Sequence, residues 1–216
     1  NYPEDQIEFD ISKIKLVTID IETKSENGFP DVESASEEVL LITIQDYTTK
    51  EIITWGTGPF NNTHDNVDYR QCNDEHHLLS SFIQWWIENT PDVVTGWNCE
   101  FFDIPYIAGR LNRVLGAKLM KRLSPWGLVT QNEVVKMGRK NFVVDIGGVS
   151  VLDYMRLYKW SPGTPNQESF RLDYIAQQEL GQQKLDHSEF DTFKDFYTKG
   201  WQKFVEYNII DVQLVD

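Results

Sequence analysis

Cysteine is nearly absent, with Cys72 and Cys99 the only two in 216 residues. Two cysteines make neither a disulfide framework nor a Cys-x-x-Cys zinc pattern, and they fit a reducing compartment. No apolar stretch approaches the roughly 20 residues a membrane span needs, and no signal-peptide pattern opens the chain. Basic residues are also scarce: 20 Lys and Arg stand against 34 Asp and Glu, a formal net charge of -14. That balance argues against a stand-alone nucleic-acid binder, whose affinity comes from cations neutralising phosphates. It leaves room for an enzyme that grips a strand end through metal ions, and it predicts weak, metal-dependent binding. Gly56-x-Gly58 is followed by no GxGxxG or GKS/T pattern and reads as a loop, not a nucleotide cradle. His64, His76, His77 and His187 show no HxxxH or HxH spacing and read as surface residues.

The chain does have aromatics, at 13%, alongside a charged fraction of 25%, a balance that marks a folded protein. The length suits one α/β domain over residues 1–216 and is short for two. The first residue is Asn, not Met, which suggests a piece of something longer.

Residues 14–21 form an apolar run that predicts the first strand, and residues 23–37 a polar loop punctuated by Asn27-Gly28 and Pro30. Residues 38–46 and 51–55 predict two further strands, and 56–73 an irregular stretch. Asn73 or Asp74 is placed to cap a helix through Leu78, Leu79, Phe82, Trp85 and Trp86. A short strand over 92–95 precedes a helix from Asp103, with Ile104, Ile107, Leu111 and Leu115 inward and Gly116 as its stop. Three strands, then helix, strand and helix, is the order of a ribonuclease-H-like mixed sheet: three antiparallel strands, then a parallel crossover. Residues 130–146 predict an inserted hairpin around Met137-Gly138-Arg139-Lys140, with Lys136 also near its tip. Helical segments follow near 151–159, 170–180 and 190–216, with a Pro/Gly loop at 161–167.

Three segments put carboxylates where they are costly. Asp20 and Glu22 interrupt the first strand, and i, i+2 spacing on a strand sets them side by side on one face. Asp103 closes the run Asn98-Cys99-Glu100-Phe101-Phe102-Asp103, and Tyr207 and Asp211 lie four apart in a helical segment, hence on one face. Each has a plainer reading alone: a solvent-facing pair, a helix cap, an ordinary core tyrosine. In a ribonuclease-H-like topology the three converge. Like charges crowded together call for a hard divalent ion with oxygen ligands, Mg²⁺ or Mn²⁺.

Together these segments resemble the Exo I, Exo II and Exo III motifs of the DnaQ-like (DEDD) 3′–5′ exonucleases: DxE, N-x₃-F-D in its family-B form, and Y-x₃-D, with Tyr207 marking the DEDDy type. The stretches Gly96-Trp97-Asn98, Lys121-Arg122-Leu123-Ser124-Pro125, Ser150-Val151-Leu152-Asp153-Tyr154 and Tyr207-Asn208-Ile209-Ile210-Asp211-Val212 are similar to the proofreading domain of family-B DNA polymerases of T-even-like bacteriophages. Those polymerases carry a large region before Exo I, where only nineteen residues stand here, and no polymerase motif follows Asp211. No polymerase activity is expected of this chain.

The resemblance implies two-metal hydrolysis at the 3′ end of DNA that releases nucleoside 5′-monophosphates and serves replication, with the ions about 3.5–4 Å apart. Asp20 would bridge both ions, Glu22 and Asp211 complete one site, and Asp103 hold the second through water. Tyr207 would orient the attacking water beside Glu22. Asn98 and Phe102 would contact the terminal nucleotides, Phe29 wedge between the last bases, and Lys184 sit near the scissile phosphate. The hairpin would hold a primer end apart from its template. The implied partners are a single-stranded 3′ end and a polymerase domain of the same or another chain, with no membrane. The implied location is the cytoplasm, the host's if a phage encodes the protein. Two alternatives stay open: an exoribonuclease of the same superfamily, and a catalytically inactive interaction module that kept the fold.

Overall fold

In a computed structural model of the chain, describing residues 10–26, 28–136, 139–164, 167–182 and 184–216, the first apolar run forms strand β1 (Leu16–Thr23). Asn27, the Met137-Gly138 hairpin tip and part of the 161–167 loop lie outside the described residues. Along β1 the side chains alternate. Val17, Ile19 and Ile21 join the larger core cluster, which leaves Thr18, Asp20 and Glu22 to the opposite face.

Strands β2 (Val39–Asp46) and β3 (Ile52–Gly56) pair antiparallel in sequence after β1, as the pattern predicts. Strand β4 (Val67–Gln71) then adds to β3 in parallel. It falls in the stretch expected to be irregular. Its sequence, VDYRQ, buries only Val67, so an edge strand held by backbone bonds shows no apolar alternation to read. Helix α1 (Glu75–Asn89) is capped by Asp74, whose side chain accepts from the His77 N–H, and it leads to β5 (Val93–Gly96), parallel to β1.

Helix α2 (Asp103–Val114) ends before Gly116, whose φ of +87° suits a residue without Cβ, and a single turn α3 (Ala117–Met120) follows. The hairpin β6 (Val129–Lys136) and β7 (Arg139–Ile146) forms a separate two-stranded sheet, rooted in the core through Val144 and Ile146. Strand β8 (Ser150–Asp153) pairs with β5 and completes a sheet of order β4-β3-β2-β1-β5-β8. The expectation of helix from 151 is therefore corrected. β5 captures residues 150–153, Asp153 caps the helix by accepting from the Arg156 N–H, and α4 spans Tyr154–Trp160.

Helix α5 (Leu172–Leu180) lies where expected. The predicted 190–216 helix is two, α6 (Phe193–Lys199) and α7 (Trp201–Val215). They part at Gly200, where an added Cβ would run into the Phe190 ring. α1 and α2 pack with the odd residues of β1 on one face of the sheet, and α7 crosses the other through Phe204, Val205, Ile209 and Val212. The observed architecture is mixed α/β of the ribonuclease-H-like kind, with a hairpin set apart from the main sheet.

Candidate active site

The even face of β1 is where α7 arrives. Asp20 is cross-strand from Thr43, and Thr43 from Thr54, so a polar row crosses three strands beneath the helix. Asn208 of α7, fully buried, donates its Nδ2 to Asp20 Oδ2 at 2.6 Å. The Thr43 hydroxyl donates to Asn208 Oδ1 and lies 2.9 Å from the Thr54 hydroxyl. A buried polar group without a partner is costly, so this chain of bonds fixes the Asp20 carboxylate from behind.

One turn of α7 sets Tyr207 and Asp211 on the same side. Asp20, Glu22 and Asp211 each offer an oxygen within 4.8 Å of the others. Asp103 is buried and stands outside that trio, with Oδ1 accepting the Ile21 N–H at 3.0 Å where β5 has ended. It is the first residue of α2, not its cap, which is Phe102. Its charge still acts on Asp20. β5 runs tightly against β1, since a Cβ on Gly96 would lie 2.5 Å from the Ile19 carbonyl oxygen. That closeness brings the Asn98–Asp103 turn beside the end of β1.

The electrostatics follow from crowding. Desolvation, then Asp103, Asp211 and Glu22, drive the Asp20 carboxyl well above its ordinary range. Burial, then Asp211, push Glu22 up to about 8, against the opposing pull of Lys184. Burial raises Asp103 to about 7 although the Ile21 N–H works against it, and raises Asp211 to about 6 against Lys184. Lys184 forms an ion pair with Asp211 and donates to the Tyr207 hydroxyl at 3.1 Å. Burial alone would lower its ammonium, yet Asp211, Tyr207 and Asp20 together hold it raised. Tyr207 is raised first by burial and then by Asp211, so it keeps its proton at neutral pH.

Asp211 Oδ1 is buried with no hydrogen-bond partner among the described residues. An orphaned carboxylate oxygen beside two more carboxylates, all disfavoured as anions, suits a hard cation with oxygen ligands. The donor set therefore fits Mg²⁺ or Mn²⁺.

The remaining predicted residues gather nearby. Phe29, 82% exposed in the β1–β2 loop, meets the Phe102 ring at 5.0 Å between centroids. Asn98, at φ +66°, starts the turn into α2, its carbonyl accepting from the Phe101 and Phe102 N–H groups. All three line a groove of about 1340 Å³ that reaches β7 and α4. A smaller cleft of about 230 Å³ opens over Asp20, Tyr207 and Lys184, with Trp97, Arg171, Leu172 and Asp173 on its walls.

Three residues of this neighbourhood escaped the sequence. Asn208 sits inside the third segment, and a polar residue on the buried side of an apolar helix was its signal. Arg171 had none. His187 is no bare surface histidine: its ring stacks on Phe196 at 4.8 Å and meets the Tyr207 ring edge-on at 5.6 Å. His64 lies 2.7 Å from Glu206, while His76 and His77 are exposed as expected.

The crowding has a measurable sign. A carboxyl raised in the folded state binds its proton more tightly there than in the unfolded chain. Its contribution to stability therefore falls as pH rises, for Glu22 between the ordinary 4.5 and about 8. After screening at a half-buried position this amounts to about 1–2 kcal/mol, or roughly 2–8 °C in a chain of this size. In chelator near pH 8, Glu22→Gln should thus melt higher than the parent, and the gap should close toward pH 4.5. Equal melting temperatures near pH 8 would contradict the crowding.

A ribonuclease-H-like sheet with an acidic cluster at its centre defines a class, and comparison with known proteins narrows it. The family described as DNA polymerase family B, exonuclease domain, matches residues 2–175. The chain is 31% identical over 235 residues to the DNA-directed DNA polymerase of Escherichia phage RB69, covering 97% of this chain and 26% of that protein. It is 38% identical over 151 residues to the DNA-directed DNA polymerase of Enterobacteria phage T4, covering 70% and 16%. Similarity reaches the DNA polymerase catalytic subunit of human herpesvirus 8 type P (isolate GK18), 26% identical over 218 residues, covering 93% and 21%. This chain belongs to the exonuclease-domain family of the family-B DNA polymerases. It spans about a quarter or less of the length of these relatives. Among the described residues no helix is long and apolar enough to cross a membrane.

Proposed function

We propose that this chain is a metal-dependent 3′–5′ exodeoxyribonuclease that removes terminal nucleotides from DNA as 5′-monophosphates, in a proofreading role beside a polymerase domain. The observation that carries the reading is the convergence of Asp20, Glu22 and Asp211, from a strand and a helix far apart in sequence, on one point within 4.8 Å. Asp20, Glu22 and Asp211 would hold one divalent cation, and Asp103 with Asp20 a second. Bound cations supply a lowered pKa for water and a counter-charge for the phosphate oxygens.

The chain's own residues do the rest. Water adds across the terminal P–O3′ bond, the phosphate leaves with the terminal nucleoside, and a new 3′-hydroxyl remains. The Tyr207 oxygen accepts from Lys184, so its own proton is free to be donated toward the cleft. A protonated phenol is a poor base and a good positioning group. Glu22 stands close enough to Tyr207 to raise it, and with a bound cation offsetting the crowding it would be ionised and could take a proton from the attacking water. Lys184, paired with Asp211, and Arg171, paired with Asp173, are the cations the cleft can turn toward a phosphate. Phe29 and Phe102 offer stacking faces to the last bases, and Asn98 a polar contact at the same turn.

Labelled single-stranded DNA and RNA of equal sequence, each with Mg²⁺, with Mn²⁺ and with chelator, test this reading. DNA should be shortened in either metal and spared in chelator. RNA shortened as fast as DNA would favour an exoribonuclease, and no cleavage of either an inactive module.

A further inference from the structure

Trp160 closes α4 and is 77% exposed. Among the described residues no core cluster includes its ring, and a tryptophan left in water forgoes one of the largest apolar burials available to a side chain. It lines the same groove as Phe29, Asn98 and Phe102. The start of α4 is tied to that turn: Asp153 Oδ2 accepts the Glu100 N–H at 3.1 Å. Seven helical residues at about 1.5 Å each place Trp160 about 10 Å further along. That is close to the rise of three stacked nucleotides at about 3.4 Å each.

The wall between offers three cations among as many acids. Lys140, Arg156 and Lys159 line the groove in a chain whose net charge is -14. Arg156 is bonded to Glu100 at 2.8 and 2.9 Å, Lys140 to Glu133 at 3.0 Å, and the Lys159 ammonium lies 4.5 Å over the Phe170 ring. The Arg156 and Lys140 ion pairs are solvent-exposed and therefore weak, so those cations can be shared with a phosphodiester at little cost. Of the groove's three acids, Asp153 accepts backbone N–H groups of Glu100 and Arg156, Asp31 accepts that of Ser34, and Glu33 is exposed to solvent.

We infer that Trp160 is a stacking platform for a base upstream of the scissile nucleotide, and that Arg156, Lys140 and Lys159 track the phosphates leading to it. The ligand is single-stranded DNA, read by the π-face of a base and so with little sequence preference. This rests on the exonuclease reading and extends its substrate site.

The test compares a trinucleotide with an oligonucleotide of about ten residues, both labelled at the 5′ end. Cleavage is followed with Mg²⁺, and equilibrium binding of the longer strand by fluorescence anisotropy with Ca²⁺ instead. Loss of a base–aromatic stack costs about fivefold in affinity at the least. Trp160→Ala should therefore raise KM and Kd for the longer strand at least about fivefold, leave kcat unchanged, and leave the trinucleotide alone. Trp160→Phe should restore most of the loss. Lys159→Gln should shallow the log–log salt slope of binding by about 0.7 of a unit, the single-strand value for one phosphate contact. Equal effects of Trp160→Ala on both lengths, or no effect on either, would overturn the inference. Length-dependent binding without any cleavage would uphold it while refuting the exonuclease reading. Cleavage without the length dependence would do the reverse.

Discussion

Asp211→Asn should lower exonuclease turnover by about 10³-fold or more while leaving the fold intact. The substitution keeps the side chain's volume in a site only 3% exposed, so no cavity opens in α7. What it removes is the charge that Asp20 and Glu22 need beside them to hold a cation. Loss of such an ion forfeits several kcal/mol of transition-state stabilisation, each 1.36 kcal/mol being tenfold in rate. Excess chelator should reproduce the loss in the parent protein. Circular dichroism would show whether the fold persists, and Mn²⁺ titration whether cation affinity has dropped. A variant that retains full turnover in Mg²⁺ would remove Asp211 from the machinery.

Tyr207→Phe should slow turnover by about 10²–10⁴-fold, the usual cost of a positioned proton-transfer or orienting group. The mechanism of loss differs from that of Asp211→Asn. The ring still packs on Phe196 and His187, and the three carboxylates keep their charge, so Mn²⁺ affinity should not change. KM for the strand should move little, because the hydroxyl acts on the reacting centre and not on the bases. An unchanged kcat would demote Tyr207 to packing. A fall in kcat together with weakened Mn²⁺ binding would mean the phenol supports the metal site instead.

The strands and helices that proved legible were those with a strong apolar signal: α1 and α2 at helical spacing, and β1, β2 and β3 as apolar runs, β2 buried on both faces along nearly its whole length. The carboxylates stood out because they break such a period, Asp20 and Glu22 within β1 and Asp211 among the buried residues of α7. Elements held by backbone pairing at a sheet edge did not stand out. β4 buries only Val67, and β8 only Asp153. Gly200 itself is plain in the sequence, but a lone glycine does not say whether a helix bends or ends, and the Phe190 ring that occupies the place of its missing Cβ is ten residues away. The position of Asp103 outside the trio of nearest oxygens was equally invisible, since it depends on the Ile21 N–H being left open where β5 stops. Asn208 and its bonds to Thr43 and Asp20 needed three strands and a helix in register before they had meaning. Sequence spacing shows which side chains share a face, whereas what supports them from behind is a property of the packed sheet.

The polarity of cleavage tests the central claim most directly. One single-stranded DNA is labelled in separate samples at its 5′ end and at its 3′-terminal nucleotide, then incubated with the protein and Mg²⁺. A 3′–5′ exonuclease releases the 3′ label at once as a nucleoside 5′-monophosphate, while the 5′ label passes down a ladder of progressively shorter strands. Release of the 5′ label first, internal cuts that free neither end, or degradation that continues in excess chelator would each contradict the account.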